Sequence, residues 1–212
     1  MPDPEEITRS LGVEPVRDGD RLRWWCPGVT PVQEAVATEL GLRQVRRLHQ
    51  MRVPLPLGET TDVAVRSFRP GVDDDAWLAT NNRSFAWHPD QGGWTRAVLD
   101  ERLAEPWFEA EGFLLHDGPD GTIAAFCWTK HHAQHAPPLG EIYVIGVDPA
   151  HQGRGLGRAL TVAGLAWQWE HHRPPLGMLY VEHDNAAGLG LYRNLGFEVH
   201  HDDVAYEVSD AT

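Results

Sequence analysis

Cysteine is nearly absent from this chain: 212 residues contain two, Cys26 and Cys127. A pair so far apart makes neither a disulfide framework nor a C-x-x-C metal site. Nothing approaches the run of about 20 apolar residues that spans a bilayer. The opening MPDPEEITRS lacks the charged-then-apolar pattern of a secretory signal, so the chain is expected in the cytoplasm. Positive charge is scarce, 18 Lys and Arg against 31 Asp and Glu, for a formal net charge of −13. That balance argues against nucleic acid and anionic membranes as partners. The serine-hydrolase elbow G-x-S-x-G is missing as well. Twelve histidines invite a metal, but the H-x-x-x-H of His131 and His135 has no intervening Glu and no regular helix. His171-His172 and His200-His201 are adjacent, and neighbours on a regular element do not face one site. No metal is expected.

What the chain does have is concentrated in Glu141 to Leu160, EIYVIGVDPAHQGRGLGRAL. Glu141 to Val147 is β-branched and aromatic and reads as a strand, ended by Asp148 and Pro149. A glycine-rich turn comes next, then an apolar series at helical spacing: Leu156, Leu160, Ala163, Gly164 and Trp167. Strand, glycine turn and helix start together make an anion site. The first N–H groups of the helix have no partner within it, and its dipole adds about 0.3–1 kcal/mol for a negative ligand. Spacing then discriminates among phosphate motifs. A P-loop needs Lys and Ser/Thr after its last glycine, where Arg158 and Ala159 stand. The dinucleotide fingerprint G-x-G-x-x-G/A fails in both frames, at Arg158 or Leu160. What remains is Gln152-x-x-Gly155-x-Gly157.

The rest of the chain supports an α/β reading with a mixed sheet and helices on both faces. Leu179 to Glu182 reads as a strand, Asn185 as a helix N-cap, Ala186 to Leu195 as a short helix and Gly196 as its stop. Phe197 to His200 and Val204 to Val208 read as closing strands. Residues 63–69 predict a first strand, Asp73 to Phe85 and Thr95 to Ala104 two helices, Phe113 to Leu115 and Thr122 to Lys130 a hairpin, and His131 to Leu139 a loop. Before residue 60 the pattern predicts a strand at Arg21 to Trp25, a helix at Pro31 to Leu40 and a strand at Arg43 to Met51. Pro54 and Pro56 mark a linker. A weak internal repeat sets Glu39-Leu-Gly-Leu42 over Asn194-Leu-Gly-Phe197.

Gln152-x-x-Gly155-x-Gly157 resembles the pyrophosphate loop of the GCN5-related N-acetyltransferases, and DNAAGLGLYRNLGFEV resembles their second cofactor element. Over residues 62–208 the resemblance sharpens. NNRSFAWHPDQGGW, EPWF, CWTKHH, GEIYVIGVDPAHQGRGLGRALT, LYVEHDNAAGLGLYRNLGF and DVAY look like the mycothiol synthase (mycothiol acetyltransferase) family. The resemblance implies a GCN5-related fold and acetyl transfer from acetyl-CoA, with no metal. The acceptor it implies is the cysteinyl amine of a cysteine–glucosamine–inositol pseudo-disaccharide. Members carry two lobes, the second of them catalytic. The chain is accordingly expected to divide into residues 1–60, a partial first lobe plus linker, and residues 61–212, the catalytic domain. It is expected to be a monomer acting on a small molecule. Acetylation of another small amine or peptide N-terminus is the alternative within enzymes, and a non-catalytic acyl-CoA-binding module the alternative outside them.

Carried over residue by residue, the resemblance makes Glu141 the base and Tyr192 the acid. An α-amino group titrates near 8 and needs modest help to lose its proton, and a phenol near 10 is protonated when a thiolate leaves. The other reading of Glu141 is an exposed strand-end carboxylate, and that of Tyr192 a core-edge tyrosine packing beside Leu191 and Leu195. The cofactor is expected on Ile145, Gly146 and Val147, on Gln152, Gly153, Arg154, Gly155, Leu156, Gly157 and Arg158, and on Asn185, Ala186, Ala187, Gly188, Leu189 and Gly190. The acceptor is expected on Asp90, Lys130, Glu141 and Tyr180. Polar, hydroxyl-rich ligands suit such partners.

Overall fold

The computed structural model describes residues 2–88 and 91–209. In chain order the elements are α1 (Pro4–Leu11), β1 (Pro15–Asp18), β2 (Arg21–Cys26), α2 (Pro31–Glu39), β3 (Leu42–Pro54), β4 (Arg66–Ser67), α3 (Asp74–Ser84) and α4 (Arg96–Leu103). Then come β5 (Phe113–Asp117), β6 (Ile123–His132), β7 (Leu139–Val147), α5 (Leu156–His172), β8 (Leu176–Glu182), α6 (Ala186–Asn194) and β9 (Glu198–Val208). They form two compact units, Val53–Leu179 and Met1–Arg52 with Tyr180–Thr212. No described helix is long and apolar enough to cross a membrane.

The unit Val53–Leu179 is built on strands ordered β8-β7-β6-β5-β4. Its pairs are antiparallel except β7 with β8, which is parallel, so the sheet is mixed as expected. Strand alternation explains why it is covered on both faces. From β6, Phe126 and Trp128 meet α3, where Trp77 sits edge-on to both at 5.4 and 5.9 Å. Phe113 stacks on Trp128 at 4.4 Å, and Phe68 stacks on Phe113. Cys127 and Thr129 point to the other face, under α5. There Gly164 lets the helix approach so closely that a Cβ would lie 2.5 Å from Cys127 Sγ. Burial pushes that thiol well above its ordinary range, which marks it as packing and not chemistry.

The second unit orders β1-β2-β9-β3 around Ile7, Leu11, Trp24, Ala37, Val204 and Tyr206. Its helices start on strong caps. Asp3 accepts from Glu5 N–H ahead of α1, and Thr30 and Gln33 form a reciprocal capping box ahead of α2. The internal repeat is visible here. α2, Gly41 and β3 recur as α6, Gly196 and β9, both glycines lie at positive φ (+65° and +87°), and the two strands pair antiparallel.

Several element boundaries differ from the sequence pattern. The strand expected over 63–69 is confined to Arg66–Ser67. The loop expected from His131 to Leu139 is shorter, because β6 continues through His132 and β7 begins at Leu139. The two closing strands are one, β9. Its polar middle has the composition of a turn but is satisfied in place: Asp202 takes Arg47 and His49, and Asp203 takes the Gly28 N–H. Register shifts between β3 and β9 absorb the odd residues: Val45 of β3 between Gln44 and Arg46, and His200 of β9 opposite Gln50 and Met51. Pairing of β9 with β2 and β3 also explains why Tyr180–Thr212 is grouped with the first 52 residues.

Candidate active site

The glycine turn is rooted on Asp148. Its Oδ1 accepts from Ala150 N–H at 2.9 Å and its Oδ2 from Arg83 Nε at 2.8 Å. Burial opposes ionisation, yet the Ala150 N–H and the Arg83 guanidinium hold this carboxyl below its usual range. Beyond it, Gly153 and Gly155 have φ of +75° and +79°, and no atom lies within 4 Å of where a Cβ on either would stand. Gly155 is the N-cap of α5 and has no side chain with which to bond the helix's first N–H groups. Gln152, Gly153, Arg154 and Gly155 are exposed; Leu156, Gly157 and Arg158 are half-buried. An open space that a methyl group would fill, next to uncapped N–H donors, fits a diphosphate. The expected cations differ in their surroundings. Arg154 makes only a long contact to the Ala150 carbonyl, at 3.4 Å, whereas Arg158 is ion-paired with Glu59.

β7 leads to this turn. Its ladder with β8 runs from Leu139↔Leu176 to Ile142↔Leu179, and β7 extends five residues beyond, Tyr143 to Val147. On its other edge Ile145, Gly146 and Val147 pair with Cys127, Phe126 and Ala125. Gly146 is required by packing, since a Cβ would stand 2.6 Å from Phe126 Cζ.

At the opposite end of β7, Glu141 is 6% exposed. His132 Nε2 lies 2.6 Å from its Oε2. Lys130 is directly across the ladder from Glu141, and its Nζ stands over the rings of Trp107 (4.4 Å) and Tyr143 (5.5 Å). Such stacking holds an ammonium without neutralising it. Trp107 meets Tyr143 edge-on at 4.8 Å, and burial pushes the Tyr143 phenol up. A buried carboxylate, an imidazole and a caged ammonium are thus gathered on one strand pair. The sequence points to Glu141 and Lys130 but to neither His132 nor the two aromatic partners. Strand parity carries the missing signal: Lys130 and His132 share a face of β6, but only if β6 reaches His132. His131 faces away, stacked on His172 at 4.3 Å, and His172 in turn meets Glu109 at 3.0 Å. Burial and His172 lower the His131 pKa.

The remaining positions lie in the second unit. Asn185 caps α6, its Oδ1 accepting from Gly188 N–H at 2.9 Å, and a Cβ on Gly188 would crowd that same side chain. Ala186, Ala187 and Gly190 are exposed, while Leu189 is buried. Tyr192 is buried in α6, with its ring 5.8 Å from Phe197. Tyr180 is 40% exposed, and its hydroxyl accepts from Gln50 Nε2 at 2.8 Å. Gln50, buried and bonded in turn to Arg52, is a further residue that no sequence motif marks. Asp90 lies outside the described residues. Glu182, His183 and Asp184 come close enough together to hold a metal ion, but Glu182 is already paired with Arg46 and the other two are exposed.

Residues 77–197 match the model of the acetyltransferase (GNAT) family. The chain is 50% identical over 184 residues to a mycothiol acetyltransferase of Salinispora arenicola, covering 83% of this chain and 59% of that protein. It is 46% identical to that of Acidothermus cellulolyticus (90% and 63%) and 45% identical to that of Mycobacteroides abscessus (96% and 71%). The chain therefore spans about three fifths of the length of the first two relatives. Among solved structures, a GCN5-related N-acetyltransferase from Sphaerobacter thermophilus matches at TM-score 0.67 and 24% identity, over 86% of this chain and 58% of that one. A tandem GNAT protein from the clavulanic acid pathway matches at TM-score 0.59 and 16% identity, over 94% and 64%. Those two likenesses speak for the fold, and the sequence relatives decide the rest: the chain belongs to the mycothiol acetyltransferase family of GCN5-related N-acetyltransferases.

Proposed function

We propose that this chain transfers acetyl from acetyl-CoA to the cysteinyl amine of cysteine–glucosamine–inositol, the last step of mycothiol formation. The observation that carries the reading is the buried Glu141 carboxylate, bonded by His132, at the far end of the strand that leads into the glycine turn. Relatives named mycothiol acetyltransferase support the choice of acceptor. Acetyl-CoA, when bound, supplies an activated thioester; the chain's residues do the rest. The N–H groups around Gly155 hold the diphosphate, with Gln152, Gly153, Arg154, Leu156, Gly157 and Arg158 beside it. Ile145 to Val147 bind the pantetheine arm along the end of β7, and Asn185 to Gly190 flank it. Lys130, Tyr180 and Asp90 hold the acceptor's hydroxyl and carbonyl groups. Glu141 takes the proton that the cysteinyl ammonium must lose before its nitrogen can attack. Tyr192 gives its phenolic proton to the departing sulfur and is reprotonated by the second proton that the acylated nitrogen sheds, while Glu141 returns the first to solvent, so that one proton is released per turnover.

In this reading residues 1–60 are the tail of a first lobe with its linker, and residues 61–212 the catalytic domain. One acetyl-CoA binds per chain. The protein is a cytoplasmic monomer that uses no metal. The test measures CoA release with the pseudo-disaccharide, with free cysteine and with simple amines. Turnover confined to the pseudo-disaccharide supports the reading, equal turnover of simple amines transfers the activity to another acceptor, and tight acetyl-CoA binding with no turnover makes the chain a binding module.

A further inference from the structure

His132 is the residue of this centre to which the proposed chemistry gives no role. It is the last residue of β6, two positions after Lys130 and therefore on the same face. Its Nε2 is 2.6 Å from Glu141 Oε2, a short hydrogen bond of the kind an ionised partner gives. The partners differ in burial: the Glu141 side chain is 8% exposed and the His132 ring 28%. We propose that His132 positions Glu141 for catalysis, donating its Nε2 proton to Oε2 so that the carboxylate is held in one rotamer with Oε1 left to accept from the substrate amine. That role rests on Glu141 being the base.

The direction of the bond comes from that role. A carboxylate that accepts a proton from the amine begins ionised, so the proton between Oε2 and Nε2 belongs to the imidazole. His132 is then neutral with Nδ1 bare, or doubly protonated. The doubly protonated ring ties the carboxylate into an ion pair and makes it a poorer acceptor, whereas the neutral ring orients it without that penalty. Other charges face the same centre. Lys130 shares the face of β6, Tyr143 stands beside it on β7, and Arg102 and Glu105 from the α4 region act on Tyr143. His131, with His172 and Glu109, is on the other face. A carboxylate this buried is sensitive to the His132 imidazole, because hydrogen bonds to ionised groups inside a protein are the strong ones.

The experiment compares kcat/KM against pH for His132→Gln, which places an amide N–H about where Nε2 stands, and His132→Leu, which fills the space without a donor. His132→Asn, too short to reach Glu141, is the second donor-less comparison should the leucine variant fold poorly. The leucine and asparagine variants are expected to lose about 10–100-fold in kcat/KM. Their acidic limb moves to higher pH, and acetyl-CoA affinity is unchanged. The glutamine variant recovers most of the rate. On a Glu141→Gln background, removing His132 is expected to cost nothing further. An equal loss with and without the Glu141 carboxylate overturns the proposal, as does a glutamine variant no better than leucine with an unaltered pH profile. Full activity in Glu141→Gln overturns the base reading and this proposal with it. A slow Glu141→Gln beside a normal His132→Leu overturns the proposal alone.

Discussion

Alanine at Gly155 separates backbone strain from ligand contact. Gly155 sits at φ +79° with empty space where a Cβ would go, so the methyl group meets no protein atom. Its cost to folding is conformational. A non-glycine residue in the left-handed region costs about 1–2 kcal/mol, and alanine's stiffer unfolded chain returns about 0.4–1 kcal/mol. The net loss is about 1 kcal/mol, or about 2–4 °C in melting temperature for a chain of this size. Gly12, the C-cap of α1, supplies the control: φ is +70° and its Cβ space is also empty. Gly12→Ala is expected to lose the same stability. The two part company in calorimetric titration with acetyl-CoA. The wild type and Gly12→Ala bind one equivalent per chain with equal affinity. Gly155→Ala binds at least about tenfold more weakly, equivalent to about 1.4 kcal/mol, because its methyl group occupies the space beside the uncapped N–H groups of α5. Wild-type affinity in Gly155→Ala refutes the assignment of the diphosphate to this turn. Two equivalents per chain refute the reading of residues 1–60 as a remnant without a cofactor site.

Glu141→Gln keeps the side chain's shape but cannot take a proton, so turnover falls about 10²–10⁴-fold with acetyl-CoA affinity retained; a mutant pH–rate profile of full height removes Glu141 as base. Tyr192→Phe keeps the ring and slows the reaction, less so with a thioester whose thiol has a low pKa. Equal loss for both thioesters makes the hydroxyl a positioning group. Glu59→Gln releases Arg158 from its ion pair and is expected to tighten acetyl-CoA binding a few-fold in low salt, an effect that fades as salt is raised; unchanged titrations at low salt remove Arg158 from the cofactor contacts. Asp73 accepts from the Arg69 N–H and from the guanidinium groups of Arg69 and Arg66, which against the opposing effect of burial hold its carboxyl far below the ordinary value. A depressed pKa contributes stability above the unfolded value near 3.9 and loses it as pH falls towards the folded one. Asp73→Asn is therefore expected to cost about 1.5–3 kcal/mol at pH 7 and progressively less below pH 4, measured by denaturant titration; a cost independent of pH contradicts the ionic account.

The features legible in the sequence are local ones. Thr30 and Asn185 mark helix starts because one side chain satisfies N–H groups two or three residues on. The glycine turn is legible because positive φ and uncapped N–H groups depend on a few consecutive residues. Sequence pattern misleads where distant residues decide. The run His201 to Asp203 has the composition of a turn, yet it is strand because Arg47, His49 and Gly28 meet its carboxylates across the sheet. His132 reads as loop because an H-H dipeptide before Ala-Gln-His carries no strand signal. Only the pairing of Lys130 with Glu141 and of His132 with Leu139 extends β6 that far. Gln50 behind Tyr180 is a contact across 130 residues that no spacing announces.

The repeated helix–glycine–strand motif shows how one local rule serves two ends. Gly41 and Gly196 both stop a helix at positive φ and turn the chain into a long strand, so α2–β3 and α6–β9 are alike in form. Their side chains set them apart. In α6, Asn185 caps, Gly190 leaves open space and Tyr192 presents a phenol. By the alignment of Leu40 with Leu195, the α2 counterpart of Tyr192 is Ala37. That alanine is 1% exposed and is packed among Ile7, Leu11, Trp24 and Tyr206. A methyl group has no proton to give, and its burial shows the space committed to core. The segments ahead of the two helices differ as well. Among the described residues, the glycine turn after β7 has no counterpart before α2, where Gly12 closes a short capped helix and not a phosphate loop. Fold similarity between the two copies therefore carries no chemical equivalence. The residues that distinguish them, Tyr192 against Ala37 and the Gly155 turn against none, are the ones on which the proposed activity depends.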